Sequence, residues 1–179
     1  GRGALAGPVV VSAVILNEKC PIKELKDSKK LSEKKRNELY EKLIITAPYI
    51  RTCIINHTIV DQINVLNATL KGMLYCIKKI AKTSHLIYID GNKVPKNDTY
   101  NMKAIIKGDN YIPAISAASI IAKVSRDNYM KKIHHKSPQY NHIKHKGYGT
   151  EEHLNAIFTY GKSNYHRKTF NVNKQLTLI

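Results

Sequence analysis

The stretch Leu86-Ile87-Tyr88-Ile89-Asp90-Gly91-Asn92 decides the fold. Four apolar residues run without a break into one aspartate, which is typical of a short strand buried on both faces. Gly91 and Asn92 then end the strand, because both residue types tolerate the positive φ that turns need. Asp90 is thereby placed at the carboxyl end of a buried strand, where ligands and catalytic groups collect in open α/β sheets. We therefore take Asp90 as a candidate metal ligand.

The composition predicts one globular domain that binds a polyanion. The chain has 179 residues, of which 42% are hydrophobic, and this is enough for a sizeable core. Its net charge of +17 favours nucleic acid as the partner, although an AT-biased genome, which supplies lysines, would account for part of the excess of basic residues. Three cysteines without CxxC spacing predict reduced thiols in the cytoplasm. We expect a monomer without a membrane span or signal peptide.

Segments of strand and helix character alternate along the chain. Ser32 is the predicted cap of the first helix, Pro48 ends that helix, and Thr58 is predicted to cap a short turn. The pattern predicts strands over 9–16, 50–56, 86–90 and 102–107, and helices over 33–47, 64–81, 115–133 and 151–160. This order predicts an α/β fold in which a mixed central sheet is flanked by helices. A helical, basic region rich in histidine, lysine and tyrosine follows from about residue 134.

The predicted helix 115–133 supplies a second carboxylate. Spacings of three and four place four polar residues on one stripe: Ser116, Ser119, Lys123 and Asp127. Such a helix can hold Asp127 over the end of the strand that carries Asp90. Two converging carboxylates repel unless a proton or a cation separates them, and Mg²⁺ or Mn²⁺ suits oxygen ligands. The alternative is that Asp127 pairs with Arg126 or Lys123 on a solvated helix.

The remaining acidic and imidazole groups are less specific. We expect a structural role for Asp61 at a helix start, and for Asp98 and Asp109 in turns. Six histidines crowd the tail without a zinc-ligand spacing to cysteines: His134, His135, His142, His145, His153 and His166. A surface that meets phosphate is the favoured interpretation of these histidines, and a site of neutral imidazoles stays open.

Two glycine-containing motifs could contact nucleic acid. Tyr148 stands between two glycines beside Lys146, so its ring could stack on a sugar or base while lysines hold the phosphates. The alternative is a core tyrosine on a glycine turn. In the motif Gly1-Arg2-Gly3, glycines allow close approach of a ligand and arginine can fork onto phosphate. Taken alone, that motif could equally be a frayed end of the chain.

The order of these blocks resembles the ribonuclease HII family, the type 2 ribonucleases H. The matching segments are Gly1-Arg2-Gly3 with Gly7-Pro8-Val9-Val10, Asp27-Ser28-Lys29-Lys30-Leu31-Ser32, Ile89-Asp90-Gly91-Asn92, Lys107-Gly108-Asp109, residues 115–127, His145-Lys146-Gly147-Tyr148-Gly149-Thr150 and His166-Arg167-Lys168-Thr169-Phe170. The resemblance implies a ribonuclease H-like fold in one domain over 1–179, with about 134–179 as its substrate-binding extension. It also implies a metal-dependent endoribonuclease that hydrolyses the RNA strand of RNA–DNA hybrids and cuts 5′ to ribonucleotides embedded in duplex DNA.

The resemblance also assigns roles to individual residues. Asp90 and Asp127 would be two of four carboxylates that bind two Mn²⁺ or Mg²⁺ ions, and the products would carry a 5′-phosphate and a 3′-hydroxyl. The 2′-hydroxyl at the RNA–DNA junction would be recognised by Gly1, Arg2 and Gly3. Tyr148 would stack on the following deoxyribose, and the phosphates would be held by Lys29, Lys30 and Lys146. Two alternatives remain, namely a ribonuclease HIII-like nuclease and a basic nucleic-acid-binding module without catalysis.

One departure from the family pattern generates a prediction. The pattern places Asp-Glu shortly before Gly-Arg-Gly, and here nothing precedes Gly1. We expect the chain as given to cut weakly or not at all, because half of the metal ligands would be absent. The test compares the 179-residue chain with a version preceded by an apolar-Asp-Glu strand. Both are assayed in Mg²⁺ or Mn²⁺ on a duplex with one ribonucleotide, and comparable cutting by both would contradict the expectation.

Overall fold

The computed structural model describes residues 1–25 and 31–172, so the candidate phosphate contacts Lys29 and Lys30 lie outside the described residues. The elements in chain order are β1 (Val9–Ile15), α1 (Glu33–Thr46), β2 (Tyr49–Ile55), α2 (His57–Ile63), α3 (Val65–Ile80), β3 (Leu86–Asp90), β4 (Asn101–Ile105), α4 (Pro113–Lys136), α5 (His142–His145) and α6 (Glu151–Tyr160). Short 3₁₀ turns cover Gly108–Asn110 and Pro138–Tyr140. The predicted α/β class is confirmed, and the predicted strands and helices lie within a few residues of those observed.

The chain divides into two compact units. The first unit comprises Gly1–Val9, Ile54–Thr69 and the described part of Ser125–Ile179, and the second unit comprises Val10–Cys53 and Leu70–Val124. The predicted extension from about residue 134 falls entirely within the first unit. The division of the chain into a domain over 1–179 with that extension stays a prediction.

The core of the second unit forms around α1. The Ser32 side chain accepts a hydrogen bond from the backbone N–H of Lys35 and caps the helix, as predicted. Ala47 leaves helical geometry because Pro48 follows it. Leu39 and Leu43 lie four residues apart on one face of α1. They pack into a cluster of fully buried residues that also contains Leu25, Ala117, Ile120 and Ile121.

The strands pair two by two among the described residues. β1 pairs with β2, and Ser12 Oγ lies 2.9 Å from Thr52 Oγ1. β3 runs parallel to β4, so that Leu86 faces Asn101 and Asp90 faces Ile105. The prediction that β3 is buried on both faces is wrong, since Leu86 is 49% and Tyr88 39% exposed while Ile89 is buried. Side chains of a strand alternate between faces, and one face of β3 stays open to solvent in the described part of the chain.

The caps of the middle helices also differ from expectation. Asn56, and not Thr58, caps α2, because its side chain accepts a hydrogen bond from the backbone N–H of Thr58. Asn64 adopts φ 63° and its side chain accepts from the N–H groups of Leu66 and Asn67, both at 3.0 Å. Asparagine suits both positions, because it tolerates left-handed φ and caps orphan amides.

The three cysteines Cys20, Cys53 and Cys76 are free thiols. Cys76 is fully buried, and its burial raises the pKa of the thiol to about 12. No helix in the described ranges is long and apolar enough to cross a membrane.

The packing of α1 generates a stability prediction. Replacing Leu43 by alanine is expected to lower the free energy of unfolding by about 2–5 kcal/mol, because a fully buried leucine leaves a cavity. Ile45→Ala on the same helix is the matched control, since Ile45 is 82% exposed and its loss should cost under about 0.5 kcal/mol. Urea denaturation followed by circular dichroism measures both. Equal losses would contradict the assigned core.

Candidate active site

Asp90 is the last residue of β3. Its side chain is exposed, and a backbone N–H orients its carboxylate. Its Oδ1 accepts a hydrogen bond from the N–H of Gly108 at 3.1 Å, and Lys107 adopts φ 55° to aim that N–H. A side chain at Gly108 would crowd its neighbours, because an added Cβ would lie 2.5 Å from Ile115 Cδ1 and 3.1 Å from Ile105 Cβ. The carboxylate is thus fixed in direction while it stays open to solvent, as a metal ligand requires.

Asp127 lies on the carboxyl-terminal half of α4, in the first unit, whereas Asp90 lies in the second unit. The alternative of a solvated helix face is wrong, since Asp127 and its neighbour Arg126 are both buried. Burial lowers the pKa of Arg126, and Tyr148 and the negative charge of Asp127 oppose that shift. A buried carboxylate on a helix remains a suitable ligand for a hard cation.

Among the other candidates on α4 and nearby, Ser116 is structural. It is buried and donates a hydrogen bond from its hydroxyl to the carbonyl of Leu25 at 2.5 Å. Asp109 is buried within the 3₁₀ turn that follows β4, and Asp98 is exposed, so both lie in turn-like segments as expected.

The motif Gly1-Arg2-Gly3 is held by two buried arginines, so its interpretation as a frayed end is wrong. Arg167 donates hydrogen bonds to the carbonyls of Gly1, Arg2, Gly7 and Pro8, at 2.6–3.3 Å. Arg126 donates to the carbonyls of Ala6, Pro8 and Lys146, at 2.9–3.1 Å. The side chain of Arg2 itself stays exposed, as do both glycines. The motif therefore presents an accessible surface on a fixed backbone.

These two guanidinium groups are residues that sequence reasoning missed. Burial and, after it, the charge of Arg126 lower the pKa of Arg167 to about 10, but both groups remain charged near neutral pH. Each satisfies several carbonyls at once because the guanidinium has five donors in a fixed fork. The only signal in the sequence was that both arginines belong to blocks of the family resemblance.

Tyr148 lies on the same frame, beside Arg126. The guanidinium carbon of Arg126 sits 5.3 Å from the centre of the Tyr148 ring, while 38% of the residue stays exposed. Gly147 adopts φ 81°, and an added Cβ there would lie 2.6 Å from the carbonyl oxygen of Ala6. Because Tyr148 is exposed, the alternative of a core tyrosine is wrong. The ammonium of Lys146 donates to the carbonyl of Ile143, and the residue is half-buried.

Asp61 anchors the tail. The sequence pattern predicts that it stands at a helix start, and that prediction is wrong. Asp61 lies in the second half of α2, and its carboxylate accepts hydrogen bonds from the N–H of Lys168 at 2.8 Å and from the N–H and hydroxyl of Thr169 at 3.0 and 2.6 Å. Partial burial pushes its pKa up, but these hydrogen bonds prevail and the pKa lies below its ordinary value. The expected structural role of Asp61 agrees with this geometry.

Four tail histidines form a buried cluster, which corrects the expectation of a histidine-rich surface that meets phosphate. We call His142, His145, His153 and His166 the histidine cluster, and all four are buried. Burial lowers the pKa of His142 to about 3 and those of His153 and His166 to about 4, so these imidazoles are neutral at pH 7. Of the remaining two, His135 is exposed and His134 half-buried, on the last turns of α4.

Solved structures with the same fold are nucleases of one class. The structure is similar to that of the PCNA:RNase HII complex from Archaeoglobus fulgidus, with a TM-score of 0.80, 21% identity, and 97% of this chain and 93% of that chain covered. It is also similar to Bst-RNase HIII in complex with Mn²⁺, with a TM-score of 0.73, 17% identity, and 99% and 66% covered. The fold is therefore that of the type 2 and type 3 ribonucleases H, which confirms the predicted ribonuclease H-like fold.

Sequence comparison places the chain within that class. The family model of Ribonuclease HII matches residues 1–173. Ribonuclease HII of Francisella tularensis subsp. mediasiatica is 47% identical over 170 residues, which cover 95% of this chain and 90% of that protein. The chain belongs to the ribonuclease HII family.

The arginine frame generates a stability prediction. Arg167→Lys keeps the charge but cannot reach four carbonyls, so unfolding should become easier by about 3 kcal/mol, since each buried unsatisfied carbonyl costs about 1–3 kcal/mol. Arg2→Lys makes the same chemical change on an exposed side chain and should be neutral within about 0.5 kcal/mol. Chemical denaturation of both variants decides, and a neutral Arg167→Lys would show that the frame contributes little.

Proposed function

We propose that this protein is an endoribonuclease that hydrolyses the RNA strand of RNA–DNA hybrids and cuts on the 5′ side of ribonucleotides embedded in duplex DNA. The observation that carries the proposal is the match to the Ribonuclease HII family model over residues 1–173, because it includes the segments of both candidate carboxylates and of Gly1-Arg2-Gly3. The net charge of +17 supports a polyanionic substrate. The protein would act in the cytoplasm as a monomer.

Asp90 and Asp127 would hold divalent cations, Mn²⁺ or Mg²⁺. Both are oxygen ligands, which these hard ions prefer, and Asp90 is oriented by the N–H of Gly108 in the way that supported metal ligands are. A relative with the same fold, Bst-RNase HIII, is described in complex with Mn²⁺. When two cations are bound, they would supply an activated water and stabilise the leaving 3′-oxygen, giving a 5′-phosphate and a 3′-hydroxyl.

Recognition of the ribonucleotide would fall on the exposed motif Gly1-Arg2-Gly3. The 2′-hydroxyl is both donor and acceptor, and backbone amides and carbonyls can read it when their positions are fixed. The hydrogen bonds from Arg167 to the carbonyls of Gly1 and Arg2 provide that fixed position. The absence of side chains on the two glycines lets the substrate backbone approach closely.

Tyr148 would complete the recognition by stacking on the deoxyribose after the ribonucleotide. Its ring is partly exposed, and the guanidinium group of Arg126 lies over that ring and would limit its movement. Lys29, Lys30 and Lys146 would contact phosphates on the strand. Lysine suits this role as a mobile point charge that does not require one geometry.

The carboxylate prediction separates a nuclease from a binding module. Asp90→Asn and Asp127→Asn should each lower turnover by about 100-fold or more, which is about 2.7 kcal/mol of lost transition-state stabilisation. Binding of a labelled hybrid, followed by fluorescence anisotropy, should be retained or strengthened because a negative charge is lost. Asp98→Asn, an exposed loop change, is the matched control and should leave both quantities unchanged.

The assays are run on the 179-residue chain and on the version preceded by an apolar-Asp-Glu strand. Hybrid substrates and a DNA duplex with one ribonucleotide are compared in Mn²⁺ and in Mg²⁺. Cutting that survives both substitutions would remove Asp90 and Asp127 from the site. Tight binding without cutting in either version would favour the binding module instead.

The stacking prediction concerns Tyr148. Tyr148→Ala should raise the KM for the single-ribonucleotide duplex by about 10-fold, since stacking on an aromatic ring contributes about 1–3 kcal/mol, whereas Tyr148→Phe should stay near the parent. Tyr111→Ala removes a more exposed tyrosine and serves as control. Equal KM values for the alanine and phenylalanine variants would contradict stacking.

A further inference from the structure

The histidine cluster gathers imidazoles from three separate segments of the first unit. α5 contributes His142 and His145, α6 contributes His153, and the loop after α6 contributes His166. The rings of His145 and His153 are stacked with centres 4.3 Å apart, and the ring centres of His142 and His153 are 5.1 Å apart. Four buried imidazoles in direct contact need an explanation in terms of hydrogen bonds, because buried polar groups are normally satisfied.

Three of the four rings are satisfied, and their partners assign the protons. The N–H of Gly147 donates to Nδ1 of His145, so Nε2 of that ring carries the proton and donates to the carbonyl of Tyr140 at 2.7 Å. The N–H of Ser163 donates to Nδ1 of His166, so Nε2 of His166 donates to Nε2 of His153 at 3.0 Å.

The same chain of bonds fixes the tautomer of His153. Its Nε2 accepts from His166, so its Nδ1 carries the proton and donates to the carbonyl of Tyr148 at 2.8 Å. Every bond in this chain is consistent with neutral rings. The cluster therefore consists of ligands already in the form that metals bind.

His142 is the exception within the described residues. The ring is fully buried, and neither of its nitrogens has a hydrogen-bond partner there. An unsatisfied buried polar group costs about 1–3 kcal/mol, which an apolar ring of the same shape would avoid. Its stacking on Tyr140, with ring centres 5.5 Å apart and planes 10° apart, needs only an aromatic ring and leaves the nitrogens unexplained.

We propose that His142, His145 and His153 form a binding site for a borderline transition-metal ion, and that this ion is Zn²⁺. One ligand atom from each of these residues lies within 4.8 Å of the others. Three nitrogens on one tetrahedral Zn²⁺ lie about 3.3 Å apart, given bond lengths of about 2.0–2.1 Å, so the rings need only a modest inward adjustment.

The hydrogen bonds of the outer shell support this assignment. Histidines that bind metals donate their second ring N–H to a carbonyl or carboxylate, which fixes the ring and its tautomer. His145 and His153 already donate to the carbonyls of Tyr140 and Tyr148, so the remaining lone pairs are on Nδ1 of His145 and Nε2 of His153.

A bound ion would take the place of the donors that now contact these two nitrogens, the N–H of Gly147 and the Nε2–H of His166. His166 can serve as the fourth ligand through Nε2 if its proton moves to Nδ1, which exchanges the bond now accepted from the Ser163 N–H for one donated to Ser163 Oγ, 2.8 Å away.

The chemistry of the site selects its metal and its role. Nitrogen ligands without carboxylates favour Zn²⁺, Co²⁺ or Ni²⁺ over Mg²⁺ and Mn²⁺, so the site would not compete with the carboxylates for catalytic ions. Because the loop between His145 and His153 carries Tyr148, a bound ion would stiffen the segment that presents this tyrosine. The expected role is structural, and its readout is metal binding and stability.

The test uses the full 179-residue chain after removal of metal by a chelator. Co²⁺ is titrated as a spectroscopic probe, and one equivalent should give the intense visible absorption of a four-coordinate site with nitrogen ligands. Zn²⁺ should displace Co²⁺ and raise the Tm of the protein in a concentration-dependent manner. His142→Phe should lower the affinity for both ions by at least about 100-fold, while His135→Phe, on the exposed end of α4, should bind both ions as the parent does.

His142→Phe is expected to fold, because phenylalanine fills the same buried space on Tyr140 without unsatisfied nitrogens. If it does not fold, X-ray absorption of the Zn²⁺-loaded parent decides, and at least three nitrogen ligands at about 2.0 Å are expected. No stoichiometric binding of Co²⁺ or Zn²⁺ by the parent would overturn the proposal. Undiminished binding by His142→Phe would overturn it as well, and would place the ion elsewhere on the chain.

Discussion

Two guanidinium groups carry the architecture of the first unit. Arg126 and Arg167 are buried, and between them they bond the carbonyls of residues 1, 2, 6, 7 and 8. Within residues 1–25 and 31–172, the carbonyls of this segment have few helix or sheet partners, and the isolated bridge there joins Ala6 and His166. Buried carbonyls must be satisfied, and a planar fork with five donors does this where a helix or sheet is absent. The backbone positions of residues 1–8 therefore depend on these two guanidinium groups.

The two arginines position two of the candidate recognition features. Arg167 fixes the backbone of Gly1-Arg2-Gly3, and Arg126 lies against the ring of Tyr148. Arg126 therefore both satisfies buried carbonyls and contacts the candidate stacking residue. A charged group in such a position keeps its protonation because its pKa, although lowered by burial, starts far above neutral pH. A lysine at this site would have neither the fork nor the same margin.

The candidate metal ligands of the two units differ in burial and in the type of ligand atom. In the second unit, Asp90 is exposed and oriented by one backbone N–H, which suits a hard cation that retains some of its water. In the first unit, the histidine cluster is buried and already neutral, which suits a borderline ion with nitrogen ligands. The overall charge of +17 attracts polyanions without distinguishing them, so specificity has to come from these fixed groups.

The sequence by itself determined the α/β class, the bounds of α1 and α6, the strand that ends at Asp90, and the family. These are local properties: periodicity, a Ser32 cap and a proline stop are written in neighbouring residues. Tertiary structure alone decided that Arg126, Arg167 and four histidines are buried, that Leu86 and Tyr88 are exposed, and that Asp61 anchors the tail. The physical reason is that a polar group can be buried only where distant segments supply its partners. The carbonyls bound by Arg167 lie about 160 residues away along the chain, as the separation of Gly7 and Arg167 shows, and no pattern of nearby residues encodes that contact.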